Sequence, residues 1–295
     1  MGWVRRRDAA AQAGAQARDA AATVLRLAVL LQAGVAPAAA WGHVTRSGPP
    51  DAAAVAHDVP VVDALRSRGG AWAQVAAAWE VATTVGAPLA DSLRAVAEAL
   101  RDAHEAADDV RIALAEPAGT ARLMLWLPPL GALLGVALGF DTVSVLFGSA
   151  GGVACLVGGL ALILGARRWT AVLVRRAQPS GAVPGLHAEL VAIALSGGLS
   201  IDRARDLVAG TGIPPGAGTE AVLDLSRTAG VPAVELLRAS AAHERQTART
   251  DGRLRAAALG ARLLLPLGVC TLPAFLLLGV APLLISVLSS TSLPL

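Results

Sequence analysis

The stretch Gly86-Ala-Pro88-Leu-Ala-Asp91-Ser-Leu93-Arg94-Ala95 returns 144 residues later as Gly230-Val-Pro232-Ala-Val-Glu235-Leu-Leu237-Arg238-Ala239. Glycine, proline, acid, leucine and arginine keep the same register. The offset persists downstream, pairing Arg101 with Arg245, Arg111 with Arg255, Ala113 with Ala257, Leu123 with Leu267 and Pro129 with Pro273. An internal repeat of this length defines the structural unit and is read before anything else. Glycine in the left-handed conformation closes a helix, and proline two residues on suits the first turn of the next, where its missing donor costs nothing. Gly86 and Pro88, and again Gly230 and Pro232, therefore read as corners between a short helix and a long one.

Each long helix runs on into apolar sequence. Over half the chain, 55%, is hydrophobic, and three uncharged windows hold much of it: Leu123–Phe140, Thr142–Ala166 and Leu263–Leu295, of 18, 25 and 33 residues. About 20 apolar residues cross the hydrocarbon layer as a helix, so the windows predict three spans. Pro128-Pro129 would bend the first, which leaves a re-entrant hairpin as its alternative. Gly131, Gly135 and Gly139 recur every four residues there, a small-residue face through which another membrane helix can approach. Gly148 and Gly152 repeat the spacing in the second window.

Charge sets the orientation. Arg122 precedes the first window, Arg167, Arg168, Arg175 and Arg176 follow the second, and Arg253, Arg255 and Arg262 precede the third, while the turn between the first two offers only Asp141. The positive-inside rule puts both polar regions in the cytoplasm and the Asp141 turn and the C-terminus outside, for a multi-pass membrane chain. The predicted fold is all-α: a polytopic membrane protein with two cytoplasmic helical-bundle repeats and three transmembrane helices. Its expected parts are a first repeat over 1–121, a two-span hairpin over 122–168, a second repeat over 169–262, and a third span with a short external tail over 263–295.

All 25 basic residues are arginine. Without lysine there is no P-loop and no Schiff base, so the chain is not that kind of ATPase. Residues 1–122 hold 12 arginines against 13 acids and residues 167–262 hold 13 against 8, so the second polar region is the basic one. Beside a membrane, such a region faces anionic lipid; it lacks the interleaved aromatics of a nucleic-acid surface. Cys155 and Cys270 lie inside predicted spans and imply neither disulfide nor metal site. Arg5-Arg-Arg7 before the apolar run from Ala20 to Ala40 imitates a signal peptide, but Arg26 interrupts the run, and Leu31-Gln-Ala-Gly34 is echoed by Leu195-Ser-Gly-Gly198.

Hydrophobic periodicity predicts helices over 8–33, 36–45, 72–85 and 88–116 in the first copy, and over 185–196, 200–210, 220–229 and 232–262 in the second. No stretch shows strand alternation. The loop Gly210–Gly218 is glycine-rich, but two prolines and the absence of a preceding strand make it a surface connection. His104-Glu105 and His243-Glu244 begin like HExxH without a second histidine, and no GxSxG elbow exists. No catalytic, cofactor-binding or metal site is expected.

One charge pattern stands out. Glu98, Asp102, Glu105 and Asp109, spaced i, i+4, i+7, i+11, put four carboxylates on one face of the first long helix. The offset carries them to Ala242, Gln246, Arg249 and Arg253, and Arg245 extends that basic face. The plain reading is a solvated face with anchoring arginines; the sharper one is recognition, either of each other or of a charged cytoplasmic partner.

Two cytoplasmic helical repeats, each with a Gly-x-Pro corner and a long helix entering a span, resemble the type II secretion F-domain family, in particular the tight-adherence (Tad/Flp) pilus platform subunits. The similarity runs from about Ala20 to the end, on Gly86-Ala-Pro88-Leu-Ala-Asp-Ser-Leu93 and Gly230-Val-Pro232. It implies an inner-membrane platform above a hexameric cytoplasmic secretion ATPase, beside a related platform subunit, helping to move pilin subunits from the bilayer into a filament. Members of the family are not enzymes. The chain shows none of the extra N-terminal spans of some relatives, so no subunit type is singled out. The helices after Pro88 and Pro232 would then act as levers. A membrane-anchored signalling or scaffold protein is the alternative; a transporter is disfavoured because the spans hold no ionisable residue.

Overall fold

A computed structural model describes residues 2–47, 61–137, 147–177, 183–216, 218–281 and 284. Every helix and turn described belongs to an all-α chain, with no strand among the described residues. The helices are α1 Gly2–Gln32, α2 Pro37–Ser47, α3 Val61–Arg68, α4 Gly70–Val85, α5 Leu89–Ala137, α6 Ala150–Ala177, α7 Leu186–Ser196, α8 Ile201–Gly210, α9 Thr219–Ala229 and α10 Ala233–Pro266. After α10 come a π-helical turn Leu267–Thr271, the short α11 Leu272–Phe275 and a second π turn Leu276–Val280.

The expected helices appear with shifted ends, and two differences have physical causes. Helix α3 has no counterpart among the expected elements: it is short, and its one fully buried side chain is Leu65, too little periodicity to read. It is tied down by the Arg66–Glu80 ion pair and by Arg68, whose guanidinium lies 5.2 Å from the Trp72 ring centre. Helix α5 does not stop at Glu116 but continues to Ala137, through Pro117 and the Pro128-Pro129 pair. The tail of the first apolar window, 138–140, lies outside the described residues.

By contacts the chain forms two compact units, Met1–Ala107 with Ser180–Asp251, and Asp108–Pro179 with Gly252–Leu295. In the first, α4 packs against α1, α3, α7 and α8, and α7 against α8. Alanine makes this possible: Ala76, Ala77, Ala78 and Ala82 of α4 are buried, and small side chains let backbones approach while Trp72 and Trp79 fill the space between. Trp79 meets Trp41 of α2 with ring centres 5.7 Å apart and planes tilted by 51°. Leu27, Leu93, Leu100, Leu186, Leu190 and Ile193 complete one core shared by both sequence copies. Helix α7 is buried from Ala188 to Ala194 without a break, so both its faces serve as core.

In the second unit, α6 packs against α11 and the two π turns. A proline inside a helix clashes with the carbonyl four residues earlier, and a widened π turn relieves that clash. The first π turn, Leu267–Thr271, contains Val269, whose carbonyl stands four residues before Pro273. Two helices are long and apolar enough to cross a membrane by length and composition, Ala150–Arg175 and the run Ala233–Val280. Their outward apolar side chains, Val153, Val157, Leu160 and Leu164 on one and Leu265, Val269, Leu272 and Leu276 on the other, are all at least 43% exposed, as side chains meant for lipid would be.

Candidate functional site

The two corners have the same geometry. Gly86 closes α4 at φ 70°, ψ 25°, and Gly230 closes α9 at φ 68°, ψ 25°. Both lie in the left-handed region, where a Cβ would crowd the following carbonyl. Pro88 and Pro232 each stand one residue before a long helix, and their carbonyls accept its first bonds, from Ser92 N at 3.0 Å and Leu236 N at 3.4 Å. The second corner gains a tie the first lacks: Ser226 Oγ donates to the Val231 carbonyl at 2.7 Å, where the first copy has Ala82.

Between the long helices lies a charged seam. In the first unit, Arg245 Nε of α10 donates to Asp102 Oδ2 of α5 at 3.1 Å, and Arg249 Nη1 lies 3.3 Å from Glu105 Oε2. In the second unit, Arg253 Nη2 sits 2.9 Å from Asp109 Oδ2, and its Nε donates to the same oxygen at 3.0 Å. Partner numbers rise together, so in the first unit the two helices run parallel. Of the residues singled out from sequence, the structure brings these six together as pairs and leaves Glu98 exposed and without an ion pair among the described residues.

Behind the seam is a carboxylate that the sequence reading passed over. Glu189 is the one acid of α7 and is only 3% exposed. Arg238 Nε and Arg245 Nη1 approach its two oxygens at 3.9 Å, beyond hydrogen-bond reach, so Glu189 Oε1 and Arg245 Nη1 are buried without hydrogen-bond partners. Burial raises the pKa of Glu189, the two arginines pull it down, and the Glu98 charge adds to the rise. One acid inside Leu-His-Ala-Glu-Leu-Val-Ala-Ile-Ala-Leu is a legible signal: a charge in an otherwise apolar helix implies a buried partner. His187, two residues earlier on α7, faces Thr219 with Nδ1 3.1 Å from Oγ1, and burial lowers its pKa.

In the second unit, among the described residues, Gly158 and Gly159 stand close against other side chains. A Cβ on Gly159 would lie 2.5 Å from Leu278 Cγ, and one on Gly158 3.4 Å from Leu277 Cδ1. The sequence reading named Gly131, Gly135 and Gly139 for this role. The first two lie within α5, and Gly139 is outside the described residues. The Gly158-Gly159 pair carries no four-residue spacing, so that search could not find it.

No cluster of three or more metal-ligating side chains occurs among the described residues. No protein-family model matches the chain, and no curated protein and no solved structure matches it. What the geometry offers in the first unit is a helical bundle in which α4 and α7 share an apolar core and ion pairs join α5 to α10.

Proposed function

We propose that the chain is an inner-membrane platform subunit of a tight-adherence (Tad/Flp) pilus or a type II secretion machine, of the F-domain family, built from two helical repeats and three transmembrane helices. The observation that carries the reading is the corner found twice: glycines 144 residues apart share φ and ψ within a few degrees, and each opens a long helix. A duplicated bundle whose exit helices lead into apolar sequence suits a part that couples a cytoplasmic ATPase to pilin extraction. The first span is then the Leu123–Phe140 window, and the polar regions lie in the cytoplasm, with the Asp141 turn outside. The parallel course of α5 and α10 supports this topology, since both must enter the bilayer from one side. In this role the chain is not an enzyme. Its partners are the secretion ATPase, a related platform subunit, pilins and lipid, and it needs neither cofactor nor nucleic acid.

The test is capture from detergent-solubilised membranes with the tagged chain as bait. Co-purification of a secretion ATPase, and loss of surface filaments on deletion, are expected. A chain found in the soluble fraction, or one whose deletion leaves filaments intact, overturns the reading.

A further inference from the structure

The helical turn before each corner is also duplicated. Helix α1 leads into α2 through Gly34 at φ +85°, and α7 leads into α8 through Gly198 at φ +88°. Gly34 N donates to the Leu31 carbonyl at 3.0 Å, and Gly198 N to the Leu195 carbonyl at 2.9 Å. This turn sets residues of α1 and α2 equivalent to those of α7 and α8 at an offset of 164, while the corner sets α4 equivalent to α9 at an offset of 144.

Equivalent positions are covered in one pair and open in the other. Within the chain α4 packs on α7, and Val85 lies against Gly197, where a side chain would have no room. The row of α7 that ends at Gly197, Leu186, Leu190 and Ile193, is at most 2% exposed, and Ala78 and Val81 in the row that ends at Val85 are fully buried. Their equivalents on α1 are Ala22, Arg26 and Val29, all exposed, with Val29 at 53%. On α9, Leu225 replaces Val81 and is 52% exposed, while Val222, in the place of Ala78, is half-buried against the core. Ala33 and Ala229, equivalents of Gly197 and Val85, are exposed as well. The open row of α1 borders an apolar groove of about 470 Å³ lined by Leu25, Arg26, Val29, Leu30, His43 and Val44.

We propose that the two open rows are the halves of one interface between copies of this chain, with α9 of one copy seated on the α1–α2 groove of the next as α4 is seated on α7 within each chain. Leu225 fills the groove beside Val29, and Ala229 allows close approach at Ala33. Charge agrees: Arg26 makes no ion pair among the described residues, and Asp224 beside Leu225 is 72% exposed, its ion pair being with exposed Arg227 at 3.7 Å. Because different surfaces meet, the contact is heterologous and propagates head to tail into a ring or filament.

The inference rests on the two-copy reading of the chain but on neither motor nor pilin. The test uses the full chain in detergent with Cys155→Ala and Cys270→Ala, carrying Val29→Cys in one tagged preparation and Leu225→Cys in another. A short bismaleimide is expected to give a mixed dimer only when the two are combined, and a ladder from a chain carrying both substitutions. Ala33→Arg added to the double variant is expected to remove the ladder while helicity by circular dichroism is unchanged. Absence of the mixed dimer, dimers of the Val29→Cys chain with itself, or a ladder that survives Ala33→Arg overturns the proposal. ATPase capture by the unsubstituted chain is scored separately, so failure of the platform reading is distinguishable from failure of the interface.

Discussion

Glu189 gives the sharpest test of how the core balances charge against burial. Attraction to Arg245 at 3.9 Å is worth about 4 kcal/mol at an effective dielectric of about 20, and Arg238, 44% exposed, adds a screened fraction of that. Against this stand the cost of taking a carboxylate out of water, several kcal/mol, and an acceptor with no hydrogen bond, about 1–3 kcal/mol. Burial is the larger influence, since the pKa of Glu189 is raised in spite of both arginines. A pKa raised on folding means that the folded chain holds the proton more tightly. The stability due to this group is therefore present at acid pH and lost as pH climbs from 4.5, its value before folding, through the folded value. Glu189→Gln removes that loss. It orphans neither arginine, because Arg245 keeps Asp102 at 3.1 Å and Arg238 keeps Glu235 at 3.7 Å. We expect the variant to be more stable at pH 8 by about 1 kcal/mol, the low end of the cost of a buried acceptor without a hydrogen bond, or about 2–4 °C in Tm for a domain of this size, with the gain vanishing towards pH 4. Thermal melts followed by circular dichroism from pH 4 to 8 read both quantities. A variant less stable at pH 8, or a difference that ignores pH, would show that ion pairing outweighs desolvation here.

Other substitutions probe the remaining features. Gly86→Ala and Gly230→Ala should each cost about 1–2 kcal/mol because of their positive φ, whereas Gly42→Ala, within α2 and with open space around it, should stabilise by about 0.5–1 kcal/mol; chemical denaturation compares the three. Gly159→Leu drives a side chain into Leu278 and should cost about 1–3 kcal/mol, read as earlier heat aggregation in detergent, while Gly165→Leu, with nothing within 4 Å, should not. A double-mutant cycle on Asp102→Asn and Arg245→Gln should return a coupling of about 1 kcal/mol at low salt; a coupling indistinguishable from zero would make the seam a mere solvated face.

The helices were legible because their signals are local: apolar residues every three to four positions, glycine at the ends, proline at the starts. Gly86 and Gly230 adopt the left-handed conformation that their place in the sequence calls for. Where the reading ran short, the deciding contact lies far away in sequence. Helix α3 owes its place to α4 rather than to its own eight residues, and Glu189 is explained only by Arg238 and Arg245, about 50 positions on. Gly159 looks like any glycine of an apolar window until Leu278 is set against it. Nor could periodicity tell that α4 and α7, about 100 residues apart in sequence, would share one core, because a row of alanine and valine fits any apolar surface of matching shape.

The charge asymmetry between the copies follows from the geometry of the seam. Parallel helices related by duplication tend to meet at equivalent positions, and here they do: Glu105 faces Arg249 in the first unit and Asp109 faces Arg253 in the second, each pair 144 residues apart. In a duplicate with unchanged residues, every such position would set a carboxylate against a carboxylate, repulsive by about 4 kcal/mol at 4 Å and an effective dielectric of about 20. Acid on α5 and arginine on α10 at these positions give attraction where like charges would repel. The same arrangement disfavours a wrong pairing, since α5 of one molecule laid along α5 of another would again oppose Asp102, Glu105 and Asp109 to themselves. Like charge thus disfavours association of molecules through α5, and leaves the proposed contact of Val29 with Leu225, where Arg26 and Asp224 are of opposite sign, without that penalty.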